Sequence, residues 1–147
     1  MKCVIVYTSV TGNTKELAEN LYQSFLSKEV DIQIYRIEQF STTYLNEYDA
    51  IVIGTYTWGN GQVPQEMRRL YRAFEMFEKK DKITAVFGTG DSFYPHYCGA
   101  VDQFRDMLYV HSNLAATLKV ELFPQQQDEK RCQKFVQSIF ERAQKLV

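Results

Sequence analysis

A chain of 147 residues with a formal net charge of −1 is long enough for one compact core, and it carries no basic footprint for nucleic acid. Its 45% hydrophobic content is dispersed in short runs, none near the ~18 apolar residues of a membrane span. Cys3, Cys98 and Cys132 are odd in number and lack metal-ligand spacing, which favours free thiols in a reducing cytoplasm over a disulfide framework.

The first residues enter an apolar run, Lys2–Tyr7, so no leader peptide is expected. Leu17, Leu21 and Phe25, with Ala18 and Tyr22, then give the stripe of an amphipathic helix, and Asn13 with Glu16 resembles a capping pair at its start. Val30, Ile32 and Ile34 alternate with polar neighbours. Ala50–Ile53 is a second continuous run, closed by Gly54. Pro64 suits a first helical position, and Met67, Leu70, Tyr71, Phe74 and Phe77 supply that helix's stripe. Ile83–Phe87 is a third run, ended by Gly88. Ala100, Val101, Phe104, Met107 and Leu108 mark another helix, and Leu118, Val120 and Leu122 alternate again. Asp128 is placed to cap a last helix carrying Phe135, Val136, Ile139, Phe140, Ala143 and Leu146.

Strands alternating with helices predict an α/β fold, a doubly wound, mostly parallel sheet between two helical layers, in one domain spanning residues 1–147. Continuous apolar strands are buried on both faces, whereas alternating ones are partly exposed. The first, third and fourth strands are therefore central, and the second and fifth are edges. A five-stranded order 2-1-3-4-5 satisfies this, with a switch point between the first and third strands where ligands bind.

All seven glycines fall after the three central strands: Gly12; Gly54, Gly59 and Gly61; Gly88, Gly90 and Gly99. Glycine serves where backbone turns sharply or meets a ligand closely. In the first loop Ser9, Thr11, Asn13 and Thr14 offer side-chain groups at a helix start, which suits a phosphate. The missing GK[ST] argues against a nucleoside triphosphate. The second loop holds Trp58, the only tryptophan, and a Gly59-Asn60 pair able to visit positive φ. The third holds Phe93, Tyr94, His96 and Tyr97 around Asp91 and Cys98. Aromatics from two loops suit a flat ring. His96 has no evident catalytic partner and reads as an exposed loop residue; Cys98 has no CxxC neighbour and reads as a packing thiol. The implied ligand is a mononucleotide with a planar head.

The chain resembles a short-chain flavodoxin along its whole length. The motifs are Ser9-Val10-Thr11-Gly12-Asn13-Thr14, Thr55-Tyr56-Thr57-Trp58-Gly59-Asn60-Gly61, Gly88-Thr89-Gly90-Asp91-Ser92-Phe93-Tyr94 and Tyr97-Cys98-Gly99-Ala100-Val101-Asp102, and the last strand, Leu118–Phe123, is uninterrupted. The resemblance implies noncovalent FMN and low-potential one-electron transfer between redox proteins, with a flavodoxin or ferredoxin reductase-type donor and an acceptor enzyme, by a cytoplasmic monomer. Ser9 to Thr14 would hold the phosphate. Trp58 and Tyr94 would stack on the two ring faces, with Thr57 and Gly59–Gly61 at the ring edge. Thr89, Gly90, Asp91 and Cys98 would meet the pyrimidine side or the ribityl chain, and Tyr56 and Tyr97 would also contact the cofactor. The Gly59-Asn60 carbonyl is expected to turn toward N5–H on reduction. A flavin enzyme, such as a quinone reductase or a flavoprotein activator, is the alternative. A phosphoryl receiver lacks its paired acids after the first strand.

Apart from Lys15, no cation is expected near the site, and Asp91 with the anionic phosphate would disfavour further negative charge on reduction. Asn60 replaces an Asp common in relatives, which softens that repulsion. The near-neutral charge also departs from the acidic habit of relatives and predicts weak electrostatic steering.

Overall fold

The computed structural model describes residues 1–76 and 78–145; Phe77 and Leu146, expected in helical stripes, lie outside the described residues. Strands β1 (Lys2–Tyr7), β2 (Asp31–Arg36), β3 (Ala50–Thr55), β4 (Lys79–Gly90) and β5 (Ser112–Glu121) alternate with helices α1 (Asn13–Leu26), α2 (Arg68–Met76), α3 (Gly99–His111) and α4 (Glu129–Lys145). Every strand pairing is parallel and the order is β2-β1-β3-β4-β5. β3 is buried along its length and β1 at all but its first residue, while β2 and β5 carry half-buried and exposed positions. The division into central and edge strands thus follows from burial on two faces or one.

Alternation along the strands feeds two cores. Cys3, Ile5 and Tyr7 meet Leu17, Leu21 and Phe25 of α1 and Phe135, Val136 and Ile139 of α4. Val4 and Val6 face the other way, toward Leu70 and Phe74 of α2 and Val101, Phe104 and Leu108 of α3. Each such buried side chain contributes about 1.5–3 kcal/mol of transfer free energy. Two glycines inside strands serve this packing. A Cβ on Gly54 would sit 2.2 Å from Cζ of the Phe87 ring, and one on Gly88 would sit 2.4 Å from the Thr55 carbonyl oxygen.

Element ends depart from the sequence reading where polar residues join ladders. β4 begins at Lys79, before Ile83, and β5 at Ser112, before Leu118. There the Thr84 and Ser112 hydroxyls pair at 2.7 Å in a buried bond, and hydropathy carries no trace of it. β5 stops at Glu121; Leu122 leaves the strand with φ of 54°. Pro64 is extended, with ψ of 146°, and precedes a tight turn over Gln65–Met67 that leads into α2. Asp128 ends a similar turn over Gln126–Asp128, where it accepts the Gln125 N–H at 2.9 Å in a reciprocal cap.

Candidate functional site

β1 ends at the switch point, and the chain crosses the carboxyl edge of the sheet. The Thr8 N–H donates to the Gly54 carbonyl at 3.0 Å. Ser9 is buried and folds its Oγ back to accept the N–H groups of Gly12 and Lys15, each at 3.2 Å. Ser9 is therefore the side chain that ties down the start of α1, and the expected Asn13–Glu16 capping pair does not form; the Glu16 N–H goes to the Gly12 carbonyl at 3.0 Å. Gly12 sits at φ of 98° with open space where a Cβ would lie, so conformation alone demands glycine. The N–H groups of Val10, Thr11, Asn13 and Thr14 have no acceptor among the described residues. Free donors at a helix start form a cradle for an anion. The Thr14 hydroxyl is not among them: it is buried and paired with the Thr89 hydroxyl at 2.7 Å.

The second loop is a small hairpin. Trp58 and Gln62 exchange both backbone bonds, at 2.8 and 2.7 Å, leaving Gly59, Asn60 and Gly61 at the tip. Positive φ falls on Gly59 (52°) and Gly61 (93°), and not on Asn60. Thr57 Oγ1 accepts the Ala100 N–H at 3.2 Å, so it serves the first turn of α3. The hairpin is locked to the third loop at its base. A Cβ on Gly99 would sit 2.7 Å from Gly61 Cα, and Gln103 Nε2 donates to the Gly61 carbonyl at 2.7 Å.

Asp91 shapes the third loop through its carboxylate, which accepts the Phe93 N–H at 2.9 Å, and its carbonyl, which accepts the Tyr94 N–H at 3.1 Å. Cys98 is buried against Gly90, and burial pushes its thiol up to about 11. That is an inert packing thiol, as the sequence suggested. Burial, and then the adjacent Cys98, push Tyr97 up to about 12.

An open groove of about 390 Å³ runs between the loops. Val10, Thr11 and Asn13 line one end, Tyr94 and Tyr97 the other, with Tyr56, Thr57, Gly59, Asn60, Thr89, Gly90, Asp91 and Cys98 between. Ser9 and Thr14 lie beneath it, their hydroxyls engaged, and Gly12 and Gly61 shape its walls without lining it. Trp58 stands at the rim next to Gly59, largely exposed. Pro95, His96 and Leu122 also line the groove. Leu122 carried a signal, an apolar pair with Phe123 that breaks the alternation of β5. His96 lies against Gly61, where a Cβ would come within 2.7 Å of its own.

Three charged residues of the site came from distant sequence. Glu66 accepts the hydroxyls of Thr8 and Tyr56, both at 2.8 Å. Partial burial alone would push this carboxyl up, but its own backbone N–H and the two hydroxyls outweigh that and hold it below the usual range. Burial, followed by Glu66, pushes Tyr56 up to about 12. Arg36 donates from Nη2 to the Ser9 carbonyl at 2.9 Å. Lys119 lies 5.9 Å from the Tyr97 ring centroid and pairs with Asp102 at 2.7 Å. The expectation of Lys15 as the lone nearby cation is thus corrected. The edge strands β2 and β5 deliver two more, across sequence distances that a loop motif does not span.

No cluster of His, Cys, Asp or Glu among the described residues could hold a metal, and no described helix is long and apolar enough to cross a membrane. Residues 5–132 match the family model described as Flavodoxin. The chain is 35% identical over 137 residues to "Probable flavodoxin 1" of Bacillus subtilis (strain 168), covering 91% of this chain and 87% of that one. Among solved structures, oxidised Flavodoxin 1 from Bacillus cereus superposes with a TM-score of 0.87 at 33% identity, over 96% of this chain and 98% of that one. A short-chain flavodoxin associated with a bacterial microcompartment gives 0.91 at 26% identity, over 97% and 99%. The loops, the strand order and these likenesses agree: the chain belongs to the flavodoxin family, in its short-chain group, and is a flavin-dependent electron carrier and not an enzyme.

Proposed function

We propose that the flavin is FMN, held noncovalently in the groove, and that the protein passes electrons between a reductase-type donor and an acceptor enzyme as a cytoplasmic monomer. The observation that carries this is the set of four N–H groups, on Val10, Thr11, Asn13 and Thr14, left without protein acceptors where α1 begins. That donor set fits a phosphate monoester: several hydrogen bonds and the helix dipole, with no metal and no Walker lysine. An unphosphorylated flavin would leave those donors bare. Three buried cysteines without disulfides, Cys3, Cys98 and Cys132, suit a reducing compartment.

In this reading Ser9 fixes the loop so that its N–H groups are placed before the ligand arrives, and Gly12 supplies the turn. Trp58 and Tyr94 border the two ring faces, with Gly59, Asn60 and Gly61 at the ring edge. Thr89, Gly90, Asp91, Tyr97 and Cys98 meet the ring's pyrimidine side or the ribityl chain, and Tyr56 and Thr57 close the side wall. When bound, the flavin takes up and releases electrons singly, and the protein's part is to bind it, orient it and leave its edge open to partners.

Fluorescence titration of the flavin-free protein tests the assignment. FMN should bind with one-to-one stoichiometry and far more tightly than riboflavin, which lacks the phosphate. Equal affinity for the two would sink the reading, and steady NAD(P)H-to-quinone turnover by the loaded protein alone would contradict the carrier role.

A further inference from the structure

Arg36 lies outside every loop that the sequence marked. It is the last residue of β2 and pairs in register with Tyr7, the last residue of β1. Its side chain therefore starts level with the point where the chain leaves β1 for the cradle. The guanidinium lies 5.5 Å from the Tyr7 ring centroid, a cation–π placement. Glu38 approaches Nε at 3.5 Å, and Nη2 donates to the Ser9 carbonyl at 2.9 Å. Three contacts thus fix a side chain that is only 38% exposed.

The bond to Ser9 acts on the next residue. No peptide in the described chain is cis, and in a planar trans peptide the C=O and the following N–H point in opposite directions. Holding the Ser9 carbonyl toward β2 sends the Val10 N–H away from Arg36, and that N–H is among those without an acceptor. A cation on the carbonyl also draws electron density from the amide and strengthens the N–H as a donor. Val10 offers only this hydrogen-bonding group to the cradle, since its side chain is apolar.

The geometry points to Arg36 as a positioning residue that aims and polarises the Val10 N–H, making the cradle selective for a phosphate-bearing flavin. This rests on the assignment of FMN to the groove. It also explains how a loop without its own cation accommodates a charged phosphate: the positive charge stands behind the backbone, one peptide removed, where it assists the anion without bonding to it.

The test compares FMN and riboflavin binding to flavin-free wild type, Arg36→Gln and Arg36→Lys, with circular dichroism confirming the fold. Arg36→Gln should raise the FMN Kd about tenfold, as expected for a lost charge-assisted bond, and leave the riboflavin Kd within about twofold. Arg36→Lys keeps the charge but loses the planar fork, so its FMN-selective loss should be smaller. Equal losses for both flavins would assign Arg36 a merely structural role and overturn the proposal, as would no loss for either. If Arg36→Gln does not fold, Arg36→Lys decides by the same ratio: a selective FMN loss supports the proposal, and an unchanged ratio overturns it. A wild type that binds the two flavins equally would overturn the FMN assignment itself, and that outcome is visible before any variant is made.

Discussion

At the α1 end of the groove Ser9 is 8% exposed and Thr14 1%; at the opposite end Trp58 is 59% exposed and Tyr94 69%. The first end is bonded from beneath by Ser9, by the Thr14–Thr89 hydroxyl pair and by Arg36. The second has locked bases, where Gly99 meets Gly61, and exposed tips. An anion site benefits from donors fixed in advance, because the ligand then need not pay for ordering them. An aromatic wall gains most of its energy from area and stacking, which tolerate adjustment on binding. With the flavin bound as proposed, the open end would also leave a ring edge within reach of a partner.

The strongest way to break this division is at the locked base. Gly99→Ala would set a Cβ 2.7 Å from Gly61 Cα and 2.8 Å from its carbonyl oxygen. Backbone cannot yield as a flexible side chain does, so the hairpin and the third loop must part. Thermal melting of the flavin-free protein should show a loss of about 1–3 kcal/mol. FMN and riboflavin should both bind more weakly, since the ring walls move and the phosphate cradle does not. A loss confined to FMN would show that the two ends are not separately built.

Asn60→Asp sharpens the comparison at an exposed tip. Asn60 is exposed and lines the groove, so the change should leave stability within about 0.5 kcal/mol. An added carboxylate near the ring disfavours negative charge there. The potential for the second electron should fall by a few tens of millivolts, where 59 mV corresponds to a tenfold change for one electron. Spectroelectrochemical titration measures it, and a potential that rose or stayed fixed would contradict the placement of Asn60 beside the ring.

Strand order was legible because burial on two faces writes a continuous apolar run and burial on one writes an alternation. The loops were legible because three glycine- and hydroxyl-rich segments each followed a central strand. Arg36, Glu66 and Lys119 were not, because each reaches the site from an element whose own pattern describes only its packing. The start of β5 was hidden for a related reason: Ser112 is buried through a hydroxyl pair with Thr84, and hydropathy counts both as polar. Capping misled at Asn13, where a plausible pair was displaced by Ser9 reaching forward from the strand end.

Glu66 joins what the comparison divides, since one carboxylate oxygen accepts Thr8 from the strand leading into the cradle and Tyr56 from the ring-side wall. Its folded carboxyl lies below its ordinary value of 4.5. Its contribution to stability is therefore complete above that value and is lost as pH falls from about 4.5 toward the lower folded value. Tyr56 works in the other limb: raised from 10.0 to about 12, its hydroxyl contributes below pH 10 and loses that contribution as pH rises through 12. Glu66 is exposed, so solvent screening keeps its effect the smallest of the three. Glu66→Gln should lower the melting temperature slightly at neutral pH and make the acid limb shallower, so that the mutant and wild-type curves converge below pH 4. Tyr56→Phe should remove the alkaline loss and, by taking one donor from Glu66, bring its folded value closer to 4.5, so that the acid limb becomes shallower and is complete at a higher pH. Melting curves of Glu66→Gln and wild type that stay parallel across both limbs would mean that the carboxylate does not tie the two ends together.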